Sequence, residues 1–243
     1  MNLLLKTKAF VKFYTELAID NKVNLIFTLL FPIVYQLISV KPSPVYTYTD
    51  FIKISMPMIA YIIVSTALNG ITMSIIATRN SGFIKAYYYA SGSRWAIYWA
   101  NLLVQLVVVL LENIIFITVL MVLYKFYSLS LLFYLILMTI IAFPIVSLGF
   151  NILFLFPIRQ SSLSILSTTL LIGFLILFNI SLPGYFDFVR IINPYVFISL
   201  ILEELINPSI SLSVYLFINV FIYVVLGGIG YNLFKLQDRG QEE

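Results

Sequence analysis

Residues 95–124 read WAIYWANLLVQLVVVLLENIIFITVLMVLY, and Glu112 is the one charged side chain among them. An unbroken apolar run longer than the ~20 residues that cross a hydrocarbon core reads as a membrane helix. A strand of a closed barrel would instead be about ten residues long and would alternate apolar with polar. Asn101, Gln105 and Glu112, at offsets of four and eleven, fall in a narrow sector of one helical face, with Asn113 beside it. An acid and two amides on one face of a membrane helix must point into protein or water rather than lipid. Such groups act either as hydrogen-bonding glue between helices or as the lining of a pathway.

The rest of the chain agrees with this stretch. Of 243 residues 62% are hydrophobic and 10% are charged, and mean hydropathy is +1.05. A soluble chain of this length needs more charge than that to cover its surface. Further apolar runs at 23–41, 54–78, 129–156, 162–182 and 212–234 bring the expected spans to six. Pro32, Pro57 and Pro144 fall inside spans, where a missing N–H permits a kink. Gly227, Gly228 and Gly230 in the last span permit close approach of another helix. Residues 1–20 differ in kind: Leu3, Phe10, Phe13, Tyr14 and Leu17 gather on one side, with Lys8, Lys12 and Glu16 on the other. That is the pattern of an amphipathic helix lying at the membrane interface, and no cleavable signal peptide is expected.

Cations orient the chain. With the amino terminus cytoplasmic, Lys6, Lys8, Lys12, Lys22, Arg79, Lys85, Arg94, Arg159, Lys235 and Arg239 fall inside, and Lys41, Lys53, Lys125 and Arg190 fall outside. Both termini are therefore expected in the cytoplasm, and so is the connector at 78–94, TRNSGFIKAYYYASGSR. As a short helix bracketed by Gly82 and Gly92, it gathers Phe83, Ile84, Tyr87 and Tyr88 on one face. Two readings fit: rings and cations resting at headgroup depth, or an aromatic face docking on a cytoplasmic protein. Between the fifth and sixth spans, Pro183, Pro194 and Pro208 divide residues 183–211 into two short apolar pieces. Neither is long enough to cross, so they read as an external hairpin or an ordinary folded loop.

An amphipathic first helix, six spans, and Arg79 and Gly82 leading a short helix into SGSRWAIYWANLL together resemble the membrane subunit of a type-2 ATP-binding-cassette transporter. The resemblance spans essentially the whole chain and rests on the positions of features. It implies an all-α integral membrane protein of six transmembrane helices forming one transmembrane domain, a permease without an ATPase site of its own. In such a permease the 78–94 helix is the coupling helix on a separate cytoplasmic ATPase subunit, which binds ATP and Mg. Carried over, the candidate contacts are Arg79, Gly82, Phe83, Lys85, Tyr87 and Tyr88. The resemblance also implies two short external helices before the last span, with Asn193 and Pro194 in the matching pattern and Glu203 and Glu204 near an external exit. A second copy or homologue of the permease would complete the pathway in the cytoplasmic membrane.

Absences narrow the field further. There is no cysteine and no histidine, hence no disulfide and no Cys- or His-ligated metal site, and no metal site is expected. No phosphate-binding G-x-x-x-x-G-K loop occurs, so the chain cannot hydrolyse ATP alone, and no G-x-S-x-G elbow is present. Glu203 and Glu204 resemble the start of the EExxxR pattern of membrane-embedded prenyl-protein processing enzymes, but Pro208 stands where the arginine belongs. No convincing internal repeat marks a secondary transporter, and nothing points to nucleic acid. Sparse charge within the spans favours a hydrophobic or amphipathic cargo such as a peptide, a lipid or a drug-like molecule. Richness in Ile, Asn, Lys and Tyr is typical of AT-rich bacterial genomes, where small permeases of this type serve peptide export or self-protection. The alternatives are a stand-alone membrane immunity protein that sequesters a toxin without any ATPase and, more remotely, an intramembrane enzyme.

Overall fold

The computed structural model describes residues 3–20, 22–39, 47–91, 94–180 and 191–233. Among these the protein is all-helical, without a strand: α1 (Leu3–Asp20), α2 (Lys22–Ser39), α3 (Tyr48–Asn80), α4 (Phe83–Ser91), α5 (Arg94–Leu123), α6 (Leu129–Phe150), α7 (Leu163–Asn179), α8 (Pro194–Ile206) and α9 (Ile210–Asn232). Five of them, α3, α5, α6 with its 3₁₀ extension Asn151–Leu155, α7 with its leading turn, and α9, are long and apolar enough to cross a membrane. This is a multi-pass membrane protein. The helix at the remaining expected span, α2, has a shorter apolar stretch, Ile26–Ser39.

Side-chain caps start the helices where the sequence leaves an apolar run. Thr47 accepts from the Asp50 N–H, Ser128 from the Leu131 N–H and Ser209 from the Leu212 N–H, each satisfying a donor the first turn would leave open. Gly82 ends the α3 connection at φ +78°, a left-handed turn open to glycine without steric cost.

The centre of the bundle is α3, with Phe51, Met58, Ile59, Ile62, Ile63 and Leu68 fully buried against α5, α6 and α8. Contacts at the helix ends sort into two sets. At one end the Arg79 guanidinium of α3 donates to the Phe154 and Phe156 carbonyls below α6 (2.9 and 3.1 Å), and the ring of Trp95 at the start of α5 packs against that of Tyr231 near the end of α9 (centroids 4.0 Å apart). At the other, Phe51 of α3 stacks on Phe126 after α5 (5.0 Å), and Gln36 of α2 donates to the Tyr124 hydroxyl (3.2 Å). Successive long helices therefore run up and down.

The seam between α6 and α9 is backbone-tight. A Cβ on Gly227 would stand 2.2 Å from the Leu148 carbonyl oxygen, and one on Gly230 2.1 Å from that of Asn151. Gly228 faces open space. Two of the three glycines thus make an intrachain contact, as expected for small residues between membrane helices.

The amphipathic first helix, expected at the membrane interface, packs its apolar face on α5. Tyr14 is buried against Ile97, Ala100 and Val104 of α5, with Val11 and Ala18 beside it, while Lys8, Lys12 and Glu16 remain outside. Contacts then climb α5 in order: Thr28 of α2 reaches Glu112, and Gln36 reaches Tyr124. The pair α1 and α2 together accompanies α5 along most of its length. An amphipathic pattern records that one face needs cover, and here helix α5 supplies it.

Candidate functional site

Two regions carry the polar chemistry, and the first lies between α5 and α3. Thr66–Met73 of α3 is a π-helical segment, a wide turn that is rare elsewhere and recurrent at functional positions. At its middle the Asn101 amide of α5 donates to the Gly70 carbonyl (3.1 Å). Gln105, one turn on, lies over the same glycine: a Cβ there would come within 2.6 Å of Gln105 Oε1. Glu112 ties three helices, its carboxylate accepting from Thr28 of α2 (2.5 Å) and Thr66 of α3 (3.1 Å). It has no ion pair among the described residues. Asn113 turns to the neighbouring helix, where its amide donates to Thr139 of α6 (3.3 Å).

Asn101, Gln105 and Glu112 therefore share one cavity of about 110 Å3 with Asn69, Gly70 and Ser74 of α3, as their common helical sector implied. Asn113 does not join them. The π segment and its Gly70 were not anticipated, because a change of helical pitch leaves hydropathy untouched. Asn69-Gly70, an amide and a glycine in mid-span, was the available signal.

The second region is α4 with its surroundings. Ile84 is buried, and Tyr87 meets Phe10 and Phe13 of α1 edge-on, with ring centroids 6.0 and 5.3 Å apart. Burial raises the Tyr87 phenol above its usual range, which favours a neutral ring in that contact. Phe83, Ala86 and Tyr89 are exposed at i, i+3 and i+6, Phe83 by 61% and Tyr89 by 81%. The expected face of Phe83, Ile84, Tyr87 and Tyr88 is thus divided: Ile84 and Tyr87 fix the helix to the bundle, and Phe83 is left outward with Tyr89. The physical reason is α1, whose aromatic side covers the Tyr87 face. Lys85 and Tyr88 are half-buried, Gly82 is exposed, and the Arg79 guanidinium is turned inward onto the two carbonyls that end α6. There it satisfies acceptors that a helix end leaves open.

At the opposite end, Asn193 caps α8: its carbonyl oxygen accepts from the Tyr195 N–H and its amide donates to Phe174 of α7, each at 2.9 Å. Pro194 takes the first helical position, where its missing N–H costs nothing. The first half of the expected hairpin, 183–190, lies outside the described residues. The second half, α8, is too short to cross yet is strongly buried, with Tyr195, Phe197 and Ile198 fully enclosed against α3, α6, α7 and α9. Glu204 accepts from the Ser213 hydroxyl (2.6 Å) and the Ser209 N–H (3.3 Å), closing the start of α9. Glu203 is exposed and lines a cleft of about 490 Å3 together with Asn207, Tyr215 and Asn219.

Among the described residues no group of His, Cys, Asp or Glu could hold a metal ion. No protein-family model matches the chain, and no curated protein is detectably similar to it in sequence.

Proposed function

We propose that the chain is the permease subunit of an ATP-driven exporter resembling the type-2 ATP-binding-cassette transporters, moving a hydrophobic or amphipathic cargo out across the cytoplasmic membrane. Its energy comes from a separate cytoplasmic ATPase that carries ATP and Mg, and a second permease copy or homologue completes the pathway. In this reading α2 is a sixth span and both termini are cytoplasmic, in keeping with the excess of cations on that side.

The observation that carries the reading is α4. It is a short helix at the Arg79 and Trp95 end of the bundle, clamped by Ile84 and Tyr87 and offering Phe83, Ala86 and Tyr89 outward. An aromatic face on a rigidly held helix is what a protein partner uses as an anchor. The same rigidity would let a movement of that partner reach α1, α3 and α5. A connector resting in lipid headgroups has no need of such a clamp. The test is retention of an ATPase by the tagged chain, with Phe83 and Tyr89 both changed to Ala. Loss of the ATPase with the fold intact supports the reading. A wild-type chain that carries no ATPase from its native membrane points instead to a stand-alone protein of the sequestering kind.

A further inference from the structure

Two depressions meet at Glu112. One is the polar cavity between α1, the π segment of α3 and α5. The other is an apolar groove of about 660 Å3 between α1, α2 and α5, walled by Val11, Ile19, Leu29, Leu103, Val107 and Leu111. Ala18, Val108 and Glu112 line both. The groove opens sideways, since Leu103, Val107 and Leu111 are about half exposed along the outer face of α5. Its size is that of a small-molecule site.

The polar end is rich in acceptors. Asn101 is fully buried, its amide N–H committed to the Gly70 carbonyl and its Oδ1 without a partner. The Asn69 amide N–H is directed to Ser65 (3.4 Å). Each Glu112 oxygen takes one hydroxyl and retains a lone pair. The two asparagine amides thus donate within the protein, while the Glu112 oxygens and Asn101 Oδ1 keep accepting capacity. An anion would face a carboxylate, with no cation among the described residues that line the cavity. A plain hydrocarbon would leave the acceptors unmet, which is costly away from water.

We infer that the joined site holds a single-chain amphiphile with a primary ammonium head, its N–H groups on Glu112 and the unpartnered acceptors of the cavity and its chain along the groove. As the seat of cargo this rests on the exporter reading. Occupancy itself is a property of the chain alone and needs no ATPase.

The probe is a dodecylamine carrying a diazirine at its chain end, photo-crosslinked to the full chain in phosphatidylcholine nanodiscs and mapped by peptide sequencing. Label is expected on the segments that contain Val11–Ile19 and Leu103–Leu111. Unlabelled dodecylamine should compete at least about tenfold better than dodecanol or dodecyltrimethylammonium, because the first lacks the charge and the second the N–H donors. Glu112→Gln should weaken labelling on the order of tenfold and erase the preference for the primary amine. Asn101→Leu, which removes the unpartnered oxygen, should weaken it as well. Equal competition by the trimethyl compound overturns the proposal without reliance on any variant. Label scattered over all lipid-facing helices overturns it too. Displacement by phosphatidylethanolamine added to the discs would assign the site to a membrane lipid and so contradict a single-chain occupant. None of these results bears on ATPase retention, so failure here and failure of the exporter reading are separate outcomes.

Discussion

A carboxyl group among membrane helices has to be met by donors, and Glu112 is met by hydroxyls from two other helices, Thr28 and Thr66. Glu112→Leu should therefore leave two hydroxyls without their acceptor and lower stability by about 1–3 kcal/mol. Glu112→Gln, which keeps shape and one carbonyl oxygen, should lose about 1 kcal/mol or less. Thermal unfolding of the two variants in one detergent compares them, and equal loss would mean the hydroxyl contacts contribute little. A second residue-scale test uses the glycines of α9. Gly230→Ala drives a Cβ into the Asn151 carbonyl, a backbone atom that cannot swing aside, and should destabilise by about 1–3 kcal/mol. Gly228→Ala meets open space and should be neutral or slightly stabilising. If the two alanines behave alike, the close α6–α9 seam is not part of the folded protein. The common face of Asn101, Gln105 and Glu112 was legible because helical periodicity fixes it. Their partners were not, since Gly70 and Thr66 lie on a π turn that the same apolar letters could have continued as an ordinary α-helix.

Among the elements, α4 shows how a face is chosen by what packs on it. Periodicity alone put Phe83 with Ile84, Tyr87 and Tyr88. Contact with α1 then removed Ile84 and Tyr87 from the surface and left Phe83 with Tyr89. The two halves should respond differently to truncation. Tyr87→Ala removes an edge-to-face contact with Phe10 and Phe13 and should cost about 1 kcal/mol or more in stability, read as a lower melting temperature. Phe83→Ala with Tyr89→Ala should leave melting nearly unchanged, because both rings already face outward. A reversal of that order would put Phe83 and Tyr89 inside the fold and end their candidacy as anchors. The long helices of the spans were legible almost to their ends, the apolar run at 95–124 corresponding to Arg94–Leu123. The packing partner of α1 was not, since an amphipathic helix with an aromatic face suits lipid headgroups and a neighbouring helix equally well.

For the whole molecule, the end contacts fix which helix termini share a level: Arg79 with Phe154, Trp95 with Tyr231, and, at the other end, Phe51 with Phe126. In the permease reading the excess of cations puts the Arg79 end in the cytoplasm. Reporters placed near residue 86 and after residue 243 should both register cytoplasm, and reporters near residues 46 and 187 the exterior. An external carboxy terminus would invert the expected orientation and remove α4 from reach of any cytoplasmic partner. The most direct test of the permease account is to purify the tagged chain from its native membrane, identify subunits bearing a G-x-x-x-x-G-K phosphate loop, and measure ATP hydrolysis by the assembly. On the permease account such a subunit is expected in near-equal amount with the wild-type chain, and its loss, together with the ATP hydrolysis, is expected from the Phe83→Ala, Tyr89→Ala variant while the membrane part remains folded. A wild-type chain that purifies without any nucleotide-binding subunit, or a double variant that keeps the ATPase in full, would contradict it.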